Sequence, residues 1–149
     1  MMSTVALKRS WAADLDTATL YKLLKLRVEV FVVEQKCAYP ELDGLDLLPE
    51  TRHLWLDDEG EIISTLRLLE EHHDGVDSFR IGRLCTSPPA RGHGYTTRLL
   101  QAALAETGSA PVRLNAQTYL VDMYTKHGFE ADGEEYIEDG IPHIPMRRG

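Results

Sequence analysis

The chain has 149 residues, 43% hydrophobic and 27% charged, which suits one folded domain over residues 1–149 with a real core and excludes a disordered protein. Sixteen Lys and Arg against 24 Asp and Glu leave a formal charge of −8, which argues against a nucleic-acid partner held by a basic face. No apolar run approaches the ~20 residues of a membrane span, and Cys37 and Cys85 have no metal-ligand spacing, so the reading is no membrane, no metal, no disulfide framework and a reduced, cytoplasmic setting.

The opening MMSTVALKRSW lacks the long apolar centre of a signal peptide, and Val5 to Trp11 within it reads as a strand. Asp16 is placed to cap a helix carrying Leu20, Leu23, Leu24, Val28, Phe31 and Val32 on a helical stripe. Arg27 falls on the same stripe. It is either a snorkelling side chain at the stripe's edge or an anchor for the loop that follows. That loop, Glu34 to Glu50, carries Pro40, Gly44 and Pro49 among acidic residues and is too long for a simple connection, which marks it as functional or disordered.

Arg52 to Leu56 and Ile62 to Leu69 read as strands joined across Asp57-Asp58-Glu59-Gly60. Glu70 to Ser78 reads as a polar loop, whose His72 and His73 are surface residues and not metal ligands, and Phe79 to Thr86 as a further strand. After the Gly92–Gly94 turn a helix buries Leu99, Leu100, Ala103 and Leu104 and stops at Gly108. Val112 to Gln117 is a strand, and Tyr119 to His127 a short helix closed by Gly128. Phe129 to Ile137 and Ile141 to Met146 form a hairpin around Asp139-Gly140, whose edge could pair with a second copy in a homodimer. The order β-α-β-β-β-α-β-α-β-β predicts an α/β (α+β) fold, one mixed sheet with helices on its faces.

The richest stretch is IGRLCTSPPARGHGYTTRLL, residues 81–100. A glycine-rich turn opening a helix leaves backbone N–H groups without partners at the positive end of the helix dipole, a setting that favours phosphate. A dinucleotide site would need a third glycine where Thr97 stands, and would follow the first strand. A P-loop would need Gly-Lys-Ser/Thr, but Gly94 is followed by Tyr95 and Thr96.

Arg91 and Gly94 match the Arg/Gln-x-x-Gly-x-Gly/Ala loop of the GCN5-related N-acetyltransferase (GNAT) superfamily, with Thr96 in the last, small position. Asn115, then Tyr124-Thr-Lys-His-Gly128-Phe129, is similar to a second signature of that superfamily, Tyr-x-x-x-Gly-Phe. The segments from Arg27 to Asp46 and from Glu138 to Met146 resemble the ElaA-like subgroup, so the resemblance runs from Leu20 to Met146. It implies an acetyl-CoA-dependent N-acetyltransferase whose central strands splay apart to form the acyl-CoA cleft. The backbone of Leu84, Cys85 and Thr86 would then pair with the pantetheine arm, and an N–H near Cys85 would face the thioester oxygen. The amides of Gly92, His93, Gly94, Tyr95, Thr96 and Thr97 would hold the pyrophosphate, with Arg91 assisting.

Acetyl transfer needs a neutral amine, a polarised carbonyl and a proton for the leaving thiolate. Tyr124 is the candidate acid, the bland alternative being an aromatic packed on Phe129. Glu34 and His143 are candidate bases, against a helix-end charge and a hairpin histidine bonded to a carbonyl. Asp43 and Asp46 would either gather a cationic acceptor or lie solvated. Cys85 reads as a small apolar strand residue and Cys37 lacks an activating partner, which favours direct attack by a small or peptidyl amine in a ternary complex. Two rivals stand beside this reading: transfer of a longer acyl chain, as in homoserine-lactone synthases, and a sensor that binds acyl-CoA without turnover.

Overall fold

The computed structural model describes residues 4–149, so the reading of MMSTVALKRSW falls partly, at residues 1–3, outside the described residues. One eight-stranded sheet runs in the order β1-β2-β3-β4-β5-β8-β6, with β7 paired to β8. The strands are β1 (Val5–Trp11), β2 (Arg52–Asp58), β3 (Glu61–His73), β4 (Val76–Thr86), β5 (Val112–Gln117), β6 (Glu130–Ala131), β7 (Tyr136–Glu138) and β8 (Ile141–Arg148). All neighbours are antiparallel except β4 and β5. The mixed α/β architecture is the one the sequence predicts. No helix among the described residues is long and apolar enough to cross a membrane.

Helix α1 (Thr17–Val28) starts where the Asp16 side chain accepts the Thr19 N–H at 2.7 Å. It buries Leu23, Leu26 and Arg27, and the turn that continues it buries Val30, a face turned slightly from the predicted stripe, of which only Leu23 is fully covered. Leu23, Leu26 and Val30 pack on Trp55, Ile62 and Cys85. Helix α2 (Tyr95–Thr107) buries Leu99, Leu100 and Ala103 in a separate cluster with Leu54, Leu56 and Leu66, so α1 and α2 cover opposite faces of the sheet. Leu104 is only half-buried. Helix α3 (Val121–Thr125) follows β5 and is shorter than the predicted Tyr119–His127 span; the turn after it closes at Gly128, whose φ of 90° suits glycine.

The polar segment read as a loop from Glu70 to Ser78 is instead the end of a hairpin. β3 runs on to His73 and β4 begins at Val76, with Asp74 and Gly75 both at positive φ in the two-residue turn. The Asp-Gly signal was masked by the polarity of its neighbours, which stand solvated on both strands. The carboxyl-terminal hairpin around Asp139-Gly140 is present, and the strand edges that flank it, β6 and β7, are only two and three residues long.

Candidate active site

β4 and β5 pair only at Phe79↔Val112 and Arg80↔Arg113, then part. The cause lies in β4, where Thr65 faces Cys85 and Arg67 faces Gly82, leaving Arg83 and Leu84 opposite Leu66 alone. This is a β-bulge, which bends the strand that carries it, and Arg83 at its centre adopts the left-handed φ of 51°. The parted strands flank a cavity of about 700 Å³. Leu84, Cys85, Thr86, Asn115, Tyr124 and His143 all line it, as do Arg91 and Thr96.

Beyond α1 the chain winds more widely over Glu29–Glu34, with N–H groups of Gln35 and Cys37 reaching back five residues to Val30 and Val32. This turn brings Val30, Phe31, Gln35 and Cys37 to the cavity wall. Gln35 and Gln117 exchange side-chain amide hydrogen bonds at 3.2 and 3.3 Å, joining that wall to the end of β5.

Between Arg91 and Thr96 the chain makes the glycine turn, with Gly92 at φ 82° and Gly94 at φ 76°. A Cβ at either glycine would meet nothing within 4 Å, so the backbone conformation, not crowding, demands glycine there. No acceptor among the described residues takes the N–H groups of Gly92, His93, Gly94, Tyr95, Thr96 or Thr97. His93 stacks on Tyr95 at 5.6 Å. The hydroxyl of Thr96 lies 3.0 Å from that of Thr86, which is 2.8 Å from Ser64, a chain of hydroxyls tying the turn to the sheet.

Arg91 donates through Nε to the Thr86 carbonyl at 3.1 Å and through both terminal nitrogens to Glu34 at 2.6 Å. The guanidinium holds the Glu34 carboxyl below its ordinary range. Glu34 is not among the residues lining the cavity. Paired in this way it is a weak base and a good orienter of Arg91.

Tyr124 is 6% exposed, packs edge-on to Phe129 at 5.9 Å, and its hydroxyl has no hydrogen-bond partner among the described residues. Burial holds the phenol above its ordinary range, so it stays protonated. His143 is held from Nδ1, which donates to the Ile141 carbonyl at 2.8 Å, and its ring stacks on Tyr136 at 5.7 Å. A neutral imidazole donating through Nδ1 keeps its lone pair on Nε2. The Cys85 thiol is pushed up to about 12 by burial, which makes it a poor nucleophile. Cys37 gives its thiol proton to the Asp139 carbonyl at 3.2 Å, linking the loop to the carboxyl-terminal hairpin.

In the Glu34–Glu50 loop Asp43, though exposed, and the buried Asp46 are both occupied by arginines of the chain itself. Arg27, only 1% exposed, donates to Glu41 at 2.8 Å and to both oxygens of Asp46 at 2.6 and 3.1 Å. Arg67 takes both oxygens of Asp43 at 2.8 and 2.6 Å and reaches Asp46 at 3.2 Å. Arg83, from the bulge, reaches Glu41 and Asp43 at 3.1 and 3.2 Å. Arg67 above all holds the Asp43 carboxyl well below the carboxylate range. Of the two readings of Arg27, the loop anchor is the one the structure realises. Arg67 and Arg83 had no sequence signal, because the carboxylate they share, Asp43, lies 24 and 40 residues away along the chain.

Comparison with known proteins is consistent with this geometry. The acetyltransferase (GNAT) domain profile matches residues 21–148. The chain is 64% identical over 146 residues to UPF0039 protein Rv2851c of Mycobacterium tuberculosis, covering 97% of this chain and 94% of that one. It superposes on an acyl-CoA N-acyltransferase from Pseudomonas aeruginosa with TM-score 0.87 at 46% identity, covering 97% and 99% of the two chains. On Escherichia coli ElaA the TM-score is 0.88 at 35% identity, with the same coverage.

Proposed function

This chain belongs to the acetyltransferase (GNAT) domain family, and we propose from that premise that it moves an acetyl group from acetyl-CoA to an amine by direct attack in a ternary complex. The observation that carries the reading is the cleft. The gap opened by the β4 bulge adjoins a turn with six consecutive unpartnered amides, a strand edge for the pantetheine arm and an anion cradle for the pyrophosphate in one continuous path.

In this reading the Leu84–Thr86 backbone pairs with the arm, and a strand N–H near Cys85 polarises the thioester carbonyl. Amides of Gly92, His93, Gly94, Tyr95, Thr96 and Thr97 bind the pyrophosphate, Arg91 reaches it with the N–H groups that Glu34 leaves free, and Asn115 contacts the arm from β5. His143 Nε2 takes a proton from the acceptor ammonium. The neutral nitrogen attacks the carbonyl carbon, the C–S bond breaks, and the thiolate takes the Tyr124 proton. The phenol regains it through water from the nitrogen that has become an amide. The same dry surroundings that raise the phenol also raise the thiolate's affinity for a proton, which keeps the transfer feasible. A cytoplasmic setting accords with two free thiols.

Release of free thiol from acetyl-CoA with a broad amine panel tests the activity. Turnover with intersecting initial-rate lines is expected. Binding without turnover for every amine would favour the sensor, parallel lines with acetylated cysteine would overturn direct attack, and faster transfer along a donor-length series would identify a longer acyl chain.

A further inference from the structure

Among the described residues, Lys36, Glu59, Asp74 and Asp139 have positive φ without being glycine, and all four stand in turns. Arg83 shares that φ but stands inside a strand, at the centre of the β4 bulge. A β-carbon makes the left-handed conformation costly, yet the glycine beside it, Gly82, does not adopt it. The arginine side chain supplies what offsets the cost. Its Nε donates to Glu41 at 3.1 Å, and a terminal nitrogen donates to the Glu41 carbonyl at 3.1 Å and to Asp43 at 3.2 Å. The guanidinium also lies 5.6 Å from the centre of the Tyr39 ring, so alternate residues of the loop hold one residue of the strand. Glu41 is itself fixed, 4% exposed and bound by Arg27 of α1 and by the Tyr39 hydroxyl.

Resting on the acetyl-transfer reading, we infer that Arg83 is a positioning residue, whose grip on Glu41 and Asp43 holds the bulge in its left-handed form and so sets the gap between β4 and β5 that takes the pantetheine arm. The loop keeps its own order without Arg83. With that side chain removed, Glu41 retains Arg27, Asp43 retains Arg67, and Asp46 retains both. Arg83 is also the least buried of the three arginines, its side chain 22% exposed against 1% for Arg27 and 5% for Arg67. Its contacts therefore act on the strand more than on the loop. The backbone that follows it, Leu84 to Thr86, is the edge offered to the arm. A bulge free to flatten would turn those N–H and carbonyl groups out of line with it.

Two substitutions separate the grip of the side chain from the conformation of the backbone. Arg83→Ala removes the grip and keeps the cost of the left-handed φ, whereas Arg83→Gly removes both. Acetyl-CoA and ADP are each titrated by calorimetry into the wild type and the two variants, ADP carrying the pyrophosphate without the arm. Both variants are expected to bind acetyl-CoA about tenfold more weakly, with ADP within about threefold of the wild type. Wild-type affinity for acetyl-CoA in Arg83→Gly would assign the gap to the backbone alone and overturn the inference. An equal loss for ADP, the mark of a general disturbance, would overturn it too. Should the wild type take up no acetyl-CoA, the acetyl-transfer reading falls, and the grip is decided in the unliganded proteins from the backbone couplings of residue 83 by NMR. A left-handed φ in the wild type that averages towards extended values in Arg83→Ala supports the grip, and the same left-handed φ in both overturns it.

Discussion

Tyr124 and Cys85 show how burial assigns opposite chemical fates to two groups in one cavity. Both are held protonated by burial, but a buried phenol keeps a proton to give, whereas a buried thiol loses its nucleophilic form. Tyr124→Phe should lower kcat by about 10²-fold, the low end for general acid catalysis, with acetyl-CoA affinity within about threefold. Single-turnover kinetics beside calorimetry measures the two effects, and an unchanged kcat across pH would leave Tyr124 as packing alone. Alkylation with iodoacetamide at pH 8 should leave Cys85 unmodified in the folded protein and label it after unfolding in urea. Ready labelling of the native protein would put a thiolate in the cleft and reopen the two-step route.

Among the elements, the loop between α1 and β2 owes its order to ionic contacts rather than to apolar packing. Arg27→Ala strips both Glu41 and Asp46 of a buried partner and should destabilise the fold by about 3–5 kcal/mol, measured by urea unfolding. A loss under about 1 kcal/mol, the range of exposed pairs, would mean the network is solvated. The loop's far end is tied by His72, whose ring nitrogens meet Asp77 at 2.6 Å and Glu50 at 2.7 Å. Asp77 first, then Glu50, raise its pKa to about 9. Since this lies above the unfolded value near ~6.5, the contact's contribution is fully present below that value and fades as pH rises through about 9. The His72 ring should titrate near 9 by NMR and move down as salt is added. A midpoint at 6.5 that salt does not move would show the two carboxylates to be disengaged. The network was half legible in sequence. Arg27 stood out because a cation on an apolar stripe is anomalous, whereas Arg67 and Arg83 lie 24 and 40 residues from Asp43, and only the folded chain brings such partners together.

At the scale of the molecule, the fold was legible because its signals are local: strand alternation, the Asp16 cap, Gly108, Gly128 and the Asp139-Gly140 turn. The glycine turn and the Tyr124 segment were legible as chemistry. What opens the cleft was not, since the β4 bulge puts Arg83, and no glycine, in the left-handed region. Nor could spacing show that Glu34 would turn to Arg91 while His143 kept its place on the cavity wall. The central claim is that the parted strands and the amide turn together hold acetyl-CoA. Its most direct test is amide mapping by NMR as acetyl-CoA is added to the labelled protein. The account predicts the largest shifts at Leu84, Cys85 and Thr86 and from Gly92 to Thr97, with the β1–β2 edge unmoved. Shifts confined to other surfaces, or saturation without change at the turn, would contradict it.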